Sequence, residues 1–387
     1  MSTIESIVVL LVRWQKQTTK GPKGQAPWEP VSYNEAKRIT EKYIFPTMEK
    51  LPCPTITKKH ILEWLKPLYY TKHETAKKAR GYAQQIIDHA GVKLVDNPAT
   101  WEALKRDLHK SSDIYESKPF AALPYEQIPE FFKTLRTVQP DKQVGRISAK
   151  ATEFYILTVG RTHMTRFLKW KEINWGKKLW VCPAIRDDGT QGHKTGKRSK
   201  KPYIVPLSNR AMEILQEMKA MQVEEGINIG PDGCVSRDGY VFVHGWPLQE
   251  WQRNKAIRRQ LGLEDKQLGQ AWASSFLNQH MDGKKLINME GEEGITQHGF
   301  RTTFQMWAIE VEGAADIVSE MALGHEVGGN QFGKYAGRTA YLHLRSRMQL
   351  HEAWAAYCLG ETPPSVVVTP PAEVAKTPAR PKLRLVS

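Results

Sequence analysis

In the run Gln297-His298-Gly299-Phe300-Arg301-Thr302-Thr303-Phe304, a histidine and an arginine stand three residues apart at the start of an amphipathic helical pattern. Helical spacing of three puts both side chains on one face. A guanidinium there can hold a phosphate through two parallel hydrogen bonds, and the neighbouring imidazole can exchange a proton with a hydroxyl attacking that phosphate. By itself the pair serves equally well as a structural contact, so its meaning depends on what else the chain supplies. The sequence has no glycine loop of the kind that cradles a nucleotide phosphate and no carboxylate cluster for two metal ions. Cys53, Cys182, Cys234 and Cys358 lie far apart without paired spacing, which argues against a zinc knuckle or a dithiol redox motif. They are expected to be buried apolar fillers in a reducing compartment.

Other segments give the pair a context. Leu157-Thr158-Val159-Gly160-Arg161 with Trp170 nine residues on, Val205-Pro206-Leu207-Ser208, the His298 run and Leu323-Gly324-His325 occur in that order. Together they resemble the catalytic domain of the tyrosine recombinases, the phage integrase family. Ala122-Leu123-Pro124-Tyr125 and Asn97-Pro98-Ala99 extend the likeness, so it covers roughly residues 33 to 358. The resemblance implies that Arg161 and Arg301 grip the non-bridging oxygens of a scissile DNA phosphate and stabilise the charge of its pentavalent transition state. It makes His298 the base or orienting group for the nucleophile, and it has His325 hydrogen-bond the same phosphate unless that histidine is purely structural.

The family nucleophile is a tyrosine shortly after the second histidine. Tyr335 stands ten positions on (335 − 325 = 10), and Tyr341, at sixteen (341 − 325 = 16), is its rival. A phenol ionises near pH 10, so it needs arginines and a proton acceptor close by to attack at neutral pH. The family also places a lysine in a β-hairpin, where its ammonium protonates the departing 5′ oxygen. The hairpin loop here offers Lys194, Lys197, Lys200 and Lys201; Lys194 heads a Lys-Thr-Gly run and is the expected acid, while Lys197, Arg198 and Lys200 are expected to contact phosphates. One departure stands out. The acidic residue that usually lies three positions after the first arginine is Met164 here, which removes an orienting partner for the basic groups.

These residues need elements to carry them. Helical patterns run over Ala36 to Tyr43, Thr57 to Leu65 with Thr57 as N-cap, Thr75 to Ala90 and Trp101 to His109. Lys58, Lys59, Lys72, Lys77, Lys78 and Arg80 cluster there among Thr and Tyr hydroxyls, either as a phosphate-contacting surface or as a solvated face. Further on, helices are predicted over Tyr125 to Leu135, Ala149 to Val159, Asn209 to Met221, Phe304 to Glu312 and Tyr341 to Ala356. Strands are predicted over Leu179 to Cys182 and Tyr203 to Leu207, forming a hairpin with a long basic loop. Residues 263–293 fit no clean element and read as an inserted surface segment. In the last helix Leu342, Leu344, Met348, Leu350 and Trp354 could pack on their own core or on a neighbouring copy.

The fold class expected is mainly α with a small antiparallel β-sheet: a helical core-binding domain followed by a catalytic domain, which the resemblance would close around DNA as a C-shaped clamp. A single core stops growing at roughly 250 to 300 residues, so 387 residues suit two domains. The expected division is an N-terminal segment over 1–32, the helical domain over 33–112, a linker over 113–124 and the catalytic domain over 125–358. A disordered tail over 359–387 completes it, rich in proline and poor in large apolar groups. With so short a segment before the first helical pattern, the arm-site domain of many phage integrases is not expected in this sequence.

Lys and Arg number 56 against 41 Asp and Glu, a net charge of +15, so polyanions are the natural partners. The longest apolar run near the N-terminus, Ile7 to Val12, is far short of the roughly 20 residues a spanning helix needs, and a cytoplasmic, nucleoid-associated protein without membrane contact is expected. The implied activity is site-specific DNA strand transfer for a mobile element, through a 3′-phosphotyrosyl intermediate and without metal or cofactor. The implied partners are double-stranded DNA at specific sites, a homotetramer in the synapse, and accessory DNA-bending or directionality proteins. Two rivals share the residues: a type IB topoisomerase, which would relax DNA lacking any special site, and a DNA-binding regulator with the same fold and a dead site.

Overall fold

A computed structural model of the chain describes residues 30–48, 50–89, 96–110, 113, 119–138, 143–193, 200–230, 232–244, 266–325 and 343–362. The chain divides into two compact units, Met1–Lys118 and Pro119–Ser387, each with its own buried apolar cluster. The first is helical and the second adds a small antiparallel sheet to its helices, as the sequence predicts. Among the described residues no helix is long and apolar enough to cross a membrane.

In the first unit, α1 (Pro30–Ile39) passes through a π-helical turn, Thr40–Ile44, into α2 (Phe45–Met48). Thr40 Oγ1 donates to the Ala36 carbonyl at 2.6 Å. A hydroxyl that bonds back four residues competes with the main-chain N–H for that carbonyl, which suits the wider register here. Thr57 caps α3 (Lys58–Thr71), and its N–H donates to His60 Nδ1 at 3.1 Å, so a histidine fills the role that Glu or Gln has in a capping box. In α4 (His73–His89), Ala76, Ala79 and Ala83 are buried at helical spacing together with Ile86 and Ile87, which brings the helix close against its neighbours. The helix predicted to reach His109 is only α5 (Trp101–Leu104). Beyond it the chain turns, and the Tyr69 hydroxyl holds the His109 carbonyl at 3.0 Å.

The second unit opens with α6 (Ile128–Thr137), α7 (Gln143–Thr158) and the short α8 (Thr162–Arg166). Strands β1 (Ile173–Asn174), β2 (Leu179–Cys182) and β3 (Tyr203–Pro206) form an antiparallel sheet in that order, with Trp180 opposite Val205 and Cys182 opposite Tyr203. After α9 (Asn209–Glu224), the two-residue strands β4 (Val243–His244) and β5 (Lys266–Gln267) pair antiparallel. Four helices follow: α10 (Trp272–His280), α11 (Gly299–Glu310), α12 (Asp316–Ala322) and α13 (Leu344–Cys358). The middle of the core is aromatic: Phe304, Trp307 and Trp354 meet with ring centroids 4.9 to 6.0 Å apart.

Two expectations need correction. Residues 263–293 are not merely an inserted surface segment: over the part described, 266–293, α10 buries Trp272, Phe276 and Leu277 in the main core, with Met281 following them. The apolar residues do recur on one helical face, but the helix is short and flanked by charged turns, which hides its period. Cys182 and Cys358 are buried fillers, whereas Cys234 is exposed in a turn; Cys53 lies outside the residues whose side chains are described. In α13, Leu350 and Trp354 point into the core and Met348 is exposed, while Leu342 lies outside the described residues.

The stretch expected to be a linker also behaves differently at its end. Residues 121 to 123 are held by their carbonyls: Ala121 accepts from the Thr296 N–H at 2.9 Å, Ala122 from the Met289 N–H at 2.9 Å, and Leu123 from Thr303 Oγ1 at 2.6 Å. This contact explains the glycine of the His298 run. A Cβ on Gly299 would lie 2.1 Å from the Ala121 oxygen and 2.8 Å from the Ala122 Cα. Gly299→Ala should therefore lower the unfolding free energy by about 3 kcal/mol, the upper end of overpacking costs, because the obstructing atoms are backbone. Urea denaturation checks this, and a variant as stable as the parent would show that the segment can shift without penalty.

Candidate functional site

The site forms where α7 ends. Residues 151 to 160 are all buried, so the last carbonyls of this helix, which lack intrahelical donors, cannot turn to water. Side chains supply the donors instead. Trp354 Nε1 donates to the Ile156 carbonyl at 3.0 Å, and His351 Nδ1 to the Leu157 carbonyl at 3.2 Å. Burial pushes the His351 ring down to about 4, so it stays neutral. Val159 follows with φ of +44°, a strained conformation for a β-branched residue, and Gly160 leads to Arg161 in extended backbone at the N-cap of α8.

Arg301 completes the end of α7 from the first turn of α11. Its Nη1 donates to the Val159 carbonyl and, at 3.3 Å, to that of Gly160; its Nη2 donates to the Leu323 carbonyl at 2.6 Å. A cation at a helix C-terminus also complements the helix dipole. The same Nη2 lies 3.3 Å from His325 Nε2, and His325 Nδ1 lies 2.6 Å from Glu320 Oε2. Arg301, buried among carbonyls, thus links the His298 and His325 motifs to the end of α7.

Electrostatics places Arg161 beside it. Burial, followed by the Arg161 charge, brings the Arg301 guanidinium down to about 10. Burial likewise lowers that of Arg161, whose side chain makes no hydrogen bond or ion pair to a described residue. Both guanidinium groups act on the phenols of Tyr155 and Tyr203. Each phenol is nonetheless raised by burial, and each donates to a carbonyl: Tyr155 to Gln297, just before His298, and Tyr203 to Ala322, just before Leu323-Gly324-His325. They are struts that fix the two motifs, not nucleophiles. Gly324 has φ of +64° and would place a Cβ 2.9 Å from the Tyr203 ring, so the turn into His325 requires glycine.

His298 is the N-cap residue of α11, half-buried, with its ring 4.3 Å from that of Phe120. The hairpin that carries the basic loop is fixed at its base. Arg186 Nε and Nη2 donate to Glu172 at 2.6 and 3.1 Å, Trp180 Nε1 donates to the same carboxylate at 2.8 Å, and Arg186 Nη1 reaches the Gln191 carbonyl at 3.3 Å. His163, two residues after Arg161, hydrogen-bonds the Gly192 backbone, while burial and then the Arg161 charge take its ring down to about 4. The loop therefore leaves the fold next to Arg161. Lys200, exposed with φ of +54°, is its described end, and Lys194, Lys197 and Arg198 lie outside the described residues.

Of the predicted catalytic residues, Arg161, Arg301 and His325 come together and His298 opens the same helix as Arg301, whereas Tyr335, like Tyr341, lies outside the described residues. Within the first unit, Lys58, Lys77 and Lys78 pair with Asp107, Glu74 and Glu35 at 2.5, 3.0 and 2.8 Å, and Lys59 is exposed without an ion pair to a described residue. Arg80 departs from the expected surface role: half-buried, it donates to Gln84 and to the Ala99 carbonyl, both at 2.9 Å, and so acts as a strut. Tyr155, Tyr203 and Glu320 were not predicted. Only Glu320 had a sequence signal, an acid five positions before a site histidine at a helix end.

Comparison with known proteins adds three findings. The family profile described as the phage integrase central domain matches residues 19–103. The integrase of Enterobacteria phage P4 is 27% identical over 198 residues, 50% of this chain and 43% of that protein; the integrase of Shigella phage Sf6 is 26% identical over 285 residues, 73% of this chain and 58% of that protein. The chain thus spans about half the length of the curated relatives it matches. Among solved structures, a lambda integrase tetramer bound to a Holliday junction superposes with a TM-score of 0.52 at 13% identity, covering 87% of this chain and 78% of that one. The Tn1549 transposon integrase with transposon right end DNA gives 0.51 at 12% identity, covering 88% and 99%. At such identities these two structures establish the fold.

Proposed function

We propose that this chain, a member of the tyrosine recombinase (phage integrase) family, is a site-specific DNA recombinase that transfers strands through a covalent tyrosine intermediate. One observation carries the reading. Arg301, buried, and Arg161, half-buried, lie close enough that the Arg161 charge lowers the Arg301 guanidinium, and neither bonds a carboxylate of a described residue. Buried cations are ordinarily paired with an anion, and an unpaired one is costly. A DNA phosphate is the anion that a strongly basic chain of this fold would bring.

In the proposed reaction the Tyr335 oxygen attacks the phosphorus as its proton passes to His298. Arg161 and Arg301 hold the two non-bridging oxygens, where charge builds in the transition state. The bond from phosphorus to the 5′ oxygen breaks, Lys194 gives that oxygen a proton, and the products are a 3′-phosphotyrosyl link and a free 5′ hydroxyl. The same steps in reverse, with a 5′ hydroxyl from a second duplex, rejoin the strands. Exchange between two duplexes calls for four copies on double-stranded DNA, and the catalytic domain would grip its site by phosphate contacts and read it at base edges.

The test is to trap the protein on a nicked duplex whose short 5′ fragment diffuses away after cleavage, then map the DNA-linked peptide. The peptide containing Tyr335 is expected. A peptide containing Tyr341 would reassign the nucleophile, and no adduct on DNA from the element's own junctions would remove the enzyme.

A further inference from the structure

His325 is clamped between two partners that fix its tautomer independently. A carboxylate only accepts, so the 2.6 Å contact to Glu320 Oε2 requires a proton on Nδ1. A guanidinium only donates, so the 3.3 Å contact from Arg301 Nη2 requires a lone pair on Nε2 in the DNA-free protein. Glu320 is itself held: Gln305 Nε2, from the helix that bears Arg301, donates to its second oxygen at 2.7 Å. The chain Gln305, Glu320, His325, Arg301 therefore runs between α11 and the turn after α12 without a gap.

We infer that Glu320 is a positioning residue of the active site, which sets the ring orientation and tautomer of His325 and supplies the carboxylate missing at position 164. The inference rests on the recombinase reading for its catalytic consequence. Met164 is wholly buried in apolar surroundings, so the acid that family members carry after the first arginine has no counterpart at that place. Glu320 comes to the site from α12 instead: it is the carboxylate whose charge acts on Arg301. With a phosphate between the arginines, Nε2 must donate to it, and the ring then carries two protons. A carboxylate bonded to Nδ1 offsets that charge and keeps the ring edge aimed at the phosphate, as the aspartate of a hydrolase triad does for its histidine. Side chains of His325 and Glu320 are 40% and 34% exposed, which leaves the outer edge of the ring open to a ligand.

Two measurements test this on the full chain. In the first, 1H–15N spectra of the imidazole nitrogens, assigned with His325→Gln, should show His325 protonated on Nδ1 in the parent and a mixture of tautomers in Glu320→Ala. In the second, single-turnover adduct formation on the nicked duplex should slow about ten- to a hundredfold in Glu320→Ala, the worth of a hydrogen bond to a charged group, with DNA affinity within about twofold. Glu320→Gln should recover part of the rate, because an amide oxygen still accepts from Nδ1–H, and Gln305→Leu should lose less than Glu320→Ala. Adduct formation by Glu320→Ala at the parental rate, or a His325 tautomer indifferent to the substitution, overturns the inference. Absence of adduct from the parent would instead overturn the recombinase reading, and the spectra would still decide the role of Glu320.

Discussion

Arg301→Lys should slow formation of the DNA adduct by about a thousandfold, the loss typical when a preorganised donor at developing charge is removed. The expectation follows from geometry. Arg301 reaches carbonyls on either side of it, Val159 and Gly160 on one and Leu323 on the other, and still presents a nitrogen to His325. A lysine has one nitrogen and cannot span those acceptors. The substitution would leave at least one buried carbonyl without a donor, so the unfolding free energy should fall as well, by about 1 to 3 kcal/mol. Single-turnover kinetics and urea denaturation read the two effects separately. Adduct formation within tenfold of the parent would mean that Arg161 alone stabilises the phosphate.

Tyr335→Phe should abolish the adduct altogether while leaving specific DNA binding within about twofold, because in the proposed reaction the substitution removes the one atom that would form the new bond and little else. Nothing among the described tyrosines near the arginines competes for the role: Tyr155 is buried and Tyr203 half-buried, and their hydroxyls are committed to the Gln297 and Ala322 carbonyls. Mobility shift on a duplex carrying the cognate site reads binding, and denaturing gels read the covalent product. Adduct persisting in Tyr335→Phe and vanishing in Tyr341→Phe would move the nucleophile six residues on (341 − 335 = 6).

The two effects differ in kind. Arg301 is a strut of the fold and, in the proposed reaction, a phosphate ligand, so its loss should be felt in stability and rate together. Tyr335 is expected to matter to rate only. A chain that kept the fold but had lost its chemistry would still be destabilised at Arg301 but would show no adduct for either substitution to remove. Comparing the pair therefore separates the recombinase from the inactive DNA-binding protein with the same fold.

Much of the site could be read from residue order. Arg161, His298, Arg301 and His325 belong to short motifs whose chemistry is local: a histidine and an arginine one helical turn apart, a glycine turn before a histidine. The hairpin was visible because β2 and β3 are apolar runs set apart by a polar loop, and Thr57 announced the start of α3. Periodicity failed where the helix was short, at α10, and where irregular chain is held by its carbonyls, at 121–123. Composition failed at Arg80, since a charge in a basic cluster and a charge tied to Gln84 and Ala99 read alike.

What the sequence determined by itself, then, was which groups could touch a phosphate, because side-chain chemistry and near-neighbour spacing travel with the chain. The tertiary structure decided which of those groups meet and what holds them. Tyr155, Tyr203 and His351 serve the site from 142, 119 and 194 residues away along the chain from the carbonyls they grip. Glu320 became an active-site partner only once α11 and α12 brought Gln305 and His325 to its two oxygens. The physical reason is that buried helix ends leave carbonyls which must find donors, and only a folded chain can bring those donors from so far along its length.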